Sequence, residues 1–162
     1  MEFSYASKLK CIKCGAEYPL EYVLVCRKCN NLVEIEYDLK AVAALDFPSQ
    51  KGPAREGIWR FHPVLPIQSP DNAISLGEGG TPLIHCTRYG QELGLQNLRV
   101  KYEGNNPTGT FKDRSSATAI GAAKQFGFAT TAVVTTGNAG ASIATYAARA
   151  GIRSVVFCYS KA

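Results

Sequence analysis

Four of the first 29 residues are cysteines, set as two pairs, Cys11-x2-Cys14 and Cys26-x2-Cys29. No other feature limits so strongly what this chain can fold into. Two such pairs joined by a hairpin bring four soft ligands to one point, and a tetrahedral thiolate shell is what zinc prefers. Four thiolates leave no open coordination position, so the expected metal is structural. It also answers a problem of size, because about forty residues cannot easily hold themselves together by apolar burial alone. A disulfide framework would need an oxidising compartment. No charged, apolar and small-residue succession of the signal-peptide kind opens the chain, so a reducing, cytoplasmic location is expected. Cys86 and Cys158 stand alone and read as small buried hydrophobes.

The chain has 162 residues, 46% of them apolar types and 19% charged, which fits a globular protein. Its net charge of +5 counts every cysteine as neutral. Four metal-bound thiolates would lower it, and the basic residues are dispersed, so a nucleic-acid partner is not expected. The uncharged run from Gln125 to Ala148 is broken by glycines, threonines and Asn138, which excludes a membrane span.

Residues 1–38 read as one small unit closed by a strand, Leu32 to Tyr37. Residues 39–75 read as a connector. A helical turn is expected over Lys40 to Leu45, followed by punctuation at Pro48, Gly52, Pro53 and Gly57. Trp59 and Phe61 are expected to anchor on a core. Pro63, Pro66 and Pro70 argue for extended pieces over a long helix.

From residue 76 to 162 the pattern alternates. A strand is predicted over Asn97 to Tyr102 and a turn over Gly104 to Gly109. Thr110 is a candidate helix cap, with Asp113 three residues on. A helix is predicted from Phe111 to Phe126 with Phe111, Ala117, Ile120 and Ala123 toward its core. Thr130 to Thr135 reads as a buried strand, Ala141 to Arg149 as a helix ended by Gly151, and Ile152 to Tyr159 as a strand. This predicts an α/β arrangement with parallel strands and right-handed crossovers. No closing helix follows, so the chain is expected to be the front part of a larger region.

The chemistry concentrates in two segments. The first is Glu103-Gly104-Asn105-Asn106-Pro107-Thr108-Gly109-Thr110-Phe111-Lys112-Asp113-Arg114. It puts Lys112 in the first turn of a helix, where a cation meets an unfavourable dipole. A lysine neutralised by a carbonyl compound fits that place better. Asp113 and Arg114 are candidates to cap, pair or orient it. The second is Thr135-Thr136-Gly137-Asn138-Ala139-Gly140-Ala141-Ser142. A glycine turn at a helix N-terminus offers unpaired N–H groups to an anion. Neither the dinucleotide fingerprint nor the phosphate-loop lysine motif is present. Gly79 and Gly80 could allow close backbone approach, with Thr81 offering a hydroxyl.

The Lys112 segment resembles the cofactor-lysine motif of the fold-type-II pyridoxal-phosphate enzymes, most closely that of the threonine synthases. Ser75-Leu76-Gly77-Glu78-Gly79-Gly80-Thr81-Pro82-Leu83 and the Asn138 segment resemble two further motifs of that family. The cysteine pairs followed by Glu36-Tyr37-Asp38 resemble the zinc-ribbon extension of its bacterial and archaeal members. The resemblance implies a zinc-ribbon-like module followed by an incomplete, tryptophan-synthase-beta-like α/β region. It implies that Lys112 binds pyridoxal 5′-phosphate covalently and moves protons during turnover. Phe111 would pack beside the cofactor and Asn138 would bond its 3′-oxygen. Thr135, Thr136, Gly137 and Ala139 would hold the substrate carboxylate.

The implied reaction converts O-phospho-L-homoserine, a phosphorylated amino acid, and water to L-threonine and phosphate. A homodimer is expected of the full-length protein. The family's phosphate loop and pyridine-nitrogen partner would lie beyond residue 162, so these residues alone are expected to be inactive. Cysteate synthase is the nearest rival, ahead of threonine dehydratase and cysteine synthase. The non-enzymatic alternative is a zinc-stabilised interaction or regulatory fragment.

Overall fold

Antiparallel pairing organises the N-terminal residues. In the computed structural model, which describes residues 2–45 and 57–159, β1 (Ala6–Cys11) lies between β2 (Glu17–Tyr18) and β3 (Val33–Tyr37). Leu9 pairs with Tyr18 on one side and Ile35 on the other. Each cysteine pair forms a tight knuckle. The Gly15 N–H bonds Cys11 O at 3.1 Å, and the Asn30 N–H bonds Cys26 O at 2.8 Å. Gly15 and Asn30 are both left-handed (φ 70° and 54°), so the two knuckles repeat one geometry. Asp38 caps α1 (Leu39–Ala43) by accepting from Lys40 N and Ala41 N. Pro48, Gly52 and Pro53 lie outside the described residues.

Among its described residues the connector is more helical than expected. Gly57–Val64 and Pro70–Asn72 are 3-10 helices, a form that tolerates Pro63 near its end. Its side chains also build the core. Ile58, Trp59, Ile67 and Ile74 pack with Ala117, Ile120, Tyr146, Ala147 and Ile152. Trp59 Nε1 donates to Ile74 O at 3.0 Å, which satisfies the one polar group of a buried indole. Phe61 is 36% exposed and is no deep anchor.

Downstream, β4 (Leu83–His85) and β5 (Arg99–Lys101) form an antiparallel pair with α2 (Thr87–Glu92) between them in the chain. Then come α3 (Lys112–Gln125), β6 (Thr130–Thr135), α4 (Asn138–Ala150) and β7 (Arg153–Cys158). β6 and β7 are parallel, with α4 as the crossover. The expected parallel pairing therefore holds for this unit and not for β4–β5. Gly140 lets α4 lie close to the sheet, since a Cβ there would come within 2.6 Å of Thr135 Cγ2 and 2.7 Å of Val156 Cγ1.

Several expectations need correction. Ala117 and Ile120 are buried on α3, but Phe111 is 57% exposed, because it stands before the helix and not on its inner face. β6 is mostly exposed, with only Thr135 buried. Among the described residues it has a single strand neighbour, and α4 covers one side of the pair. Cys158 is exposed and Cys86 half-buried, so neither is a core residue. Helix α4 starts at Asn138, three residues before its expected start, because Gly137 (φ 156°, ψ −85°) makes the sharp turn that only glycine adopts readily.

Candidate active site and cysteine cluster

The lysine and the glycine turn arrive at one cleft from different elements. Lys112 opens α3, while Thr135 ends β6 and Asn138 opens α4. The cleft, about 560 Å³, is lined by Lys112, Val134, Thr135, Thr136, Gly137, Asn138, Ala139 and Tyr159. Lys112 Nζ sits 4.7 Å from the centroid of the Phe111 ring, a cation–π distance. Thr135 Oγ1 accepts from Gly137 N at 3.0 Å and pins the turn. The Gly140 and Ala141 N–H groups bond back to Gly137 O. Those of Asn138 and Ala139, at the first two helical positions, have no carbonyl four residues back within the helix. All five residues of 135–139 thus share a cleft with the lysine. Val134 and Tyr159 line it too, and no motif marked them.

The backbone around Lys112 is held from both sides. Asp113, fully buried, accepts from Thr108 N at 2.7 Å, from the Thr108 hydroxyl, and from Ser142 Oγ of α4 at 2.6 Å. It does not close the expected capping box. Thr110 Oγ1 instead accepts from Lys112 N at 3.3 Å. Arg114 grips Glu103 through Nε (2.7 Å) and Nη2 (2.9 Å), the fork geometry of a strong guanidinium–carboxylate pair. Thr81 donates to Glu103 at 2.6 Å, and Asn106 Nδ2 donates to it at 3.0 Å. Arg114 beside Glu103 pulls that carboxyl down to about 2, with help from the Thr81 hydroxyl. The partners Glu103, Asn106 and Ser142 were not legible as site residues. Their one signal is that they are polar positions inside the motifs.

The four N-terminal cysteine sulfurs also converge. All lie within 4.8 Å of one another, with Cys11–Cys29 at 3.4 Å and Cys14–Cys26 at 3.6 Å. A tetrahedral site with about 2.3 Å metal–sulfur bonds needs sulfur separations of about 3.8 Å, so the four residues fit a metal ion. The Tyr18 hydroxyl, 3.1 Å from Cys26 Sγ, helps draw that thiol down to about 6. Burial pushes Cys29 up to about 12. A central cation would favour the ionised form of all four thiols.

Residues 74–162 match the pyridoxal-phosphate dependent enzyme family. The chain belongs to that family. Among curated relatives it is similar to the threonine synthase of Methanosarcina acetivorans, 40% identical over 149 residues, which are 91% of this chain and 36% of that protein. The threonine synthase of Methanocaldococcus jannaschii is 37% identical over 147 residues, again 91% and 36%. That of Halalkalibacterium halodurans is 46% identical over 92 residues, 57% of this chain and 26% of that one. The chain thus spans about a third of the length of the two archaeal relatives. The residues at the cleft suit the family's cofactor. They put a primary amine opposite a helix N-terminus that favours anions. Among the described residues, no helix is long and apolar enough to cross a membrane.

Proposed function

We propose that the full-length protein is a lyase of the threonine-synthase type, converting O-phospho-L-homoserine and water to L-threonine and phosphate in the cytoplasm. Structural zinc would occupy the cluster of Cys11, Cys14, Cys26 and Cys29. The observation that carries the reading is the meeting of the Lys112 amine and the α4 N-terminus at one cleft. Two archaeal proteins named threonine synthase, similar along nine-tenths of the chain, support the choice of reaction.

Pyridoxal phosphate, when bound, supplies an electron sink for the pair left at substrate Cα after proton loss. Lys112 Nζ would hold the cofactor's aldehyde carbon. Once displaced by the substrate amine, it is a free base for the Cα proton. Once it has handed the Cα proton to the substrate phosphate, the same amine could take a proton from Cβ as phosphate leaves Cγ. It would give that proton to Cγ, then take one from the water that adds at Cβ and deliver it to Cα. The Asn138 and Ala139 N–H groups, with Thr135, Thr136 and Gly137, would receive the substrate carboxylate, and the helix dipole favours that charge. The Asn138 side chain would bond the cofactor's ring oxygen. Phe111 would shield one side of Nζ.

The test uses the full-length protein. Phosphohomoserine should release phosphate and yield threonine, and borohydride should trap the cofactor on the peptide containing Lys112. Turnover of phosphoserine with sulfite in its place would assign the cleft to cysteate synthesis. Turnover with residue 112 unlabelled would end the reading.

A further inference from the structure

Glu78 has no exposed surface. The turn that carries it is contorted to bury it, with Gly77, Gly79 and Gly80 all left-handed (φ 88°, 89° and 59°). The turn also lies flush on the connector. Ile58 N donates to Glu78 O at 3.1 Å, and a Cβ on Gly57 would fall 1.9 Å from that oxygen. Oε2 accepts three hydrogen bonds, from Ser75 Oγ at 3.2 Å, Leu76 N at 2.9 Å and Tyr146 Oη at 2.8 Å. Oε1 is buried with no hydrogen-bond partner among the described residues. A carboxylate used on one side only is a poor stabiliser of a core. A directional bond from it can still select one orientation of a helix.

Two of the three donors are local to the turn. The third, Tyr146, is fully buried on α4. It stands eight residues after Asn138, about 12 Å along the helix at 1.5 Å per residue. Halfway between them, Ser142 bonds Asp113, the neighbour of Lys112. The other side of the turn reaches the lysine segment as well. Gly79 N donates to Asn106 Oδ1 at 2.9 Å, and Thr81 bonds Glu103, the partner of Arg114. The turn at 75–81 therefore joins both elements that meet at the cleft.

We propose that Glu78 is a positioning residue: through Tyr146 it sets the rotation of α4, and so the direction in which the Asn138 and Ala139 N–H groups face Lys112. This rests on the reading of the cleft as a cofactor and carboxylate site.

The test compares the full-length wild type with Tyr146→Phe, Glu78→Gln, Glu78→Ala and the Tyr146→Phe/Glu78→Ala double variant. Tyr146→Phe deletes only the bond that the Glu78 side chain makes beyond the turn, and Gln keeps an acceptor for it. One readout is amide exchange at residues 137–142 in the protein as purified. The other is the Kd of free glycine, a carboxylate probe, read from the visible absorbance of the cofactor-loaded protein. Tyr146→Phe should raise exchange at 137–142 and weaken glycine, each about tenfold, the size expected for loss of one buried hydrogen bond. It should leave cofactor capture by Lys112 intact. Glu78→Gln should stay within about threefold of wild type, and the double variant should be no worse than Glu78→Ala.

Unchanged exchange at 137–142 in Tyr146→Phe would overturn the proposal, as would Glu78→Gln as damaged as Glu78→Ala. Multiplicative effects in the double variant would do the same. If Glu78→Ala does not fold, Tyr146→Phe and Glu78→Gln decide alone. A wild type without cofactor absorbance would sink the functional reading, while the exchange data would still decide the role of Glu78.

Discussion

Ser142 Oγ donates to Asp113 Oδ1 across 2.6 Å, and neither side chain has any exposed surface. The bond ties α4 to the residue next to Lys112, so the amine and the glycine turn share one support. Ser116 Oγ lies 2.7 Å from Ser142 Oγ, which extends the contact along α3.

Asp113→Ala should cost about 3 kcal/mol. It leaves the Thr108 N–H, the Thr108 hydroxyl and the Ser142 hydroxyl without their buried acceptor. Asp113→Asn keeps one acceptor oxygen and should cost less. Urea midpoints at constant m-value measure both.

Lys112→Ala should leave the fold intact, because the side chain lines the cleft and is only half-buried. Covalent cofactor capture should vanish, and phosphate release should fall by at least about 10²-fold, the lower range for loss of a positioned base. Visible absorbance and a coupled phosphate assay on the full-length variant check this.

The Arg114–Glu103 pair sets an acid limit. The Glu103 carboxyl is lowered in the fold from its ordinary 4.5 to about 2. A depressed carboxylate contributes stability that is fully present above the unfolded value and is lost as pH falls through the folded one. Glu103→Gln should therefore flatten the stability profile between about pH 4.5 and 2, the window set by those two values. Urea midpoints taken across that range for both proteins test it.

One zinc equivalent should copurify per chain, and Cys14→Ser or Cys26→Ser should abolish stoichiometric metal, because a three-thiolate site of this kind is incomplete. Chelation of the wild type should expose the N-terminal residues to proteolysis before the rest. Metal analysis and mass-spectrometric mapping of the first cuts provide the readouts.

Much of the local structure was legible. Cysteine spacing predicted a convergence of four sulfurs, because a knuckle is a local shape made by five residues and a left-handed position. The glycine turn before α4 could be read for the same reason. Burial was less legible. Phe111 looks like a core residue by type and period, yet it precedes the helix and stacks near Lys112. Thr130–Thr135 looks like a buried strand by composition, but burial depends on what covers a sheet and not on the strand itself.

By itself the sequence determined the reactive inventory: one lysine at a helix start, one glycine turn before another helix, and four thiols in two matched pairs. Those are short-range facts, set by backbone sterics and residue spacing. Only the tertiary structure decided that Tyr146 meets Glu78 across 68 residues and Ser142 meets Asp113 across 29. No local pattern encodes such pairs, since each bond exists only after apolar burial has brought α3, α4 and the 75–81 turn together.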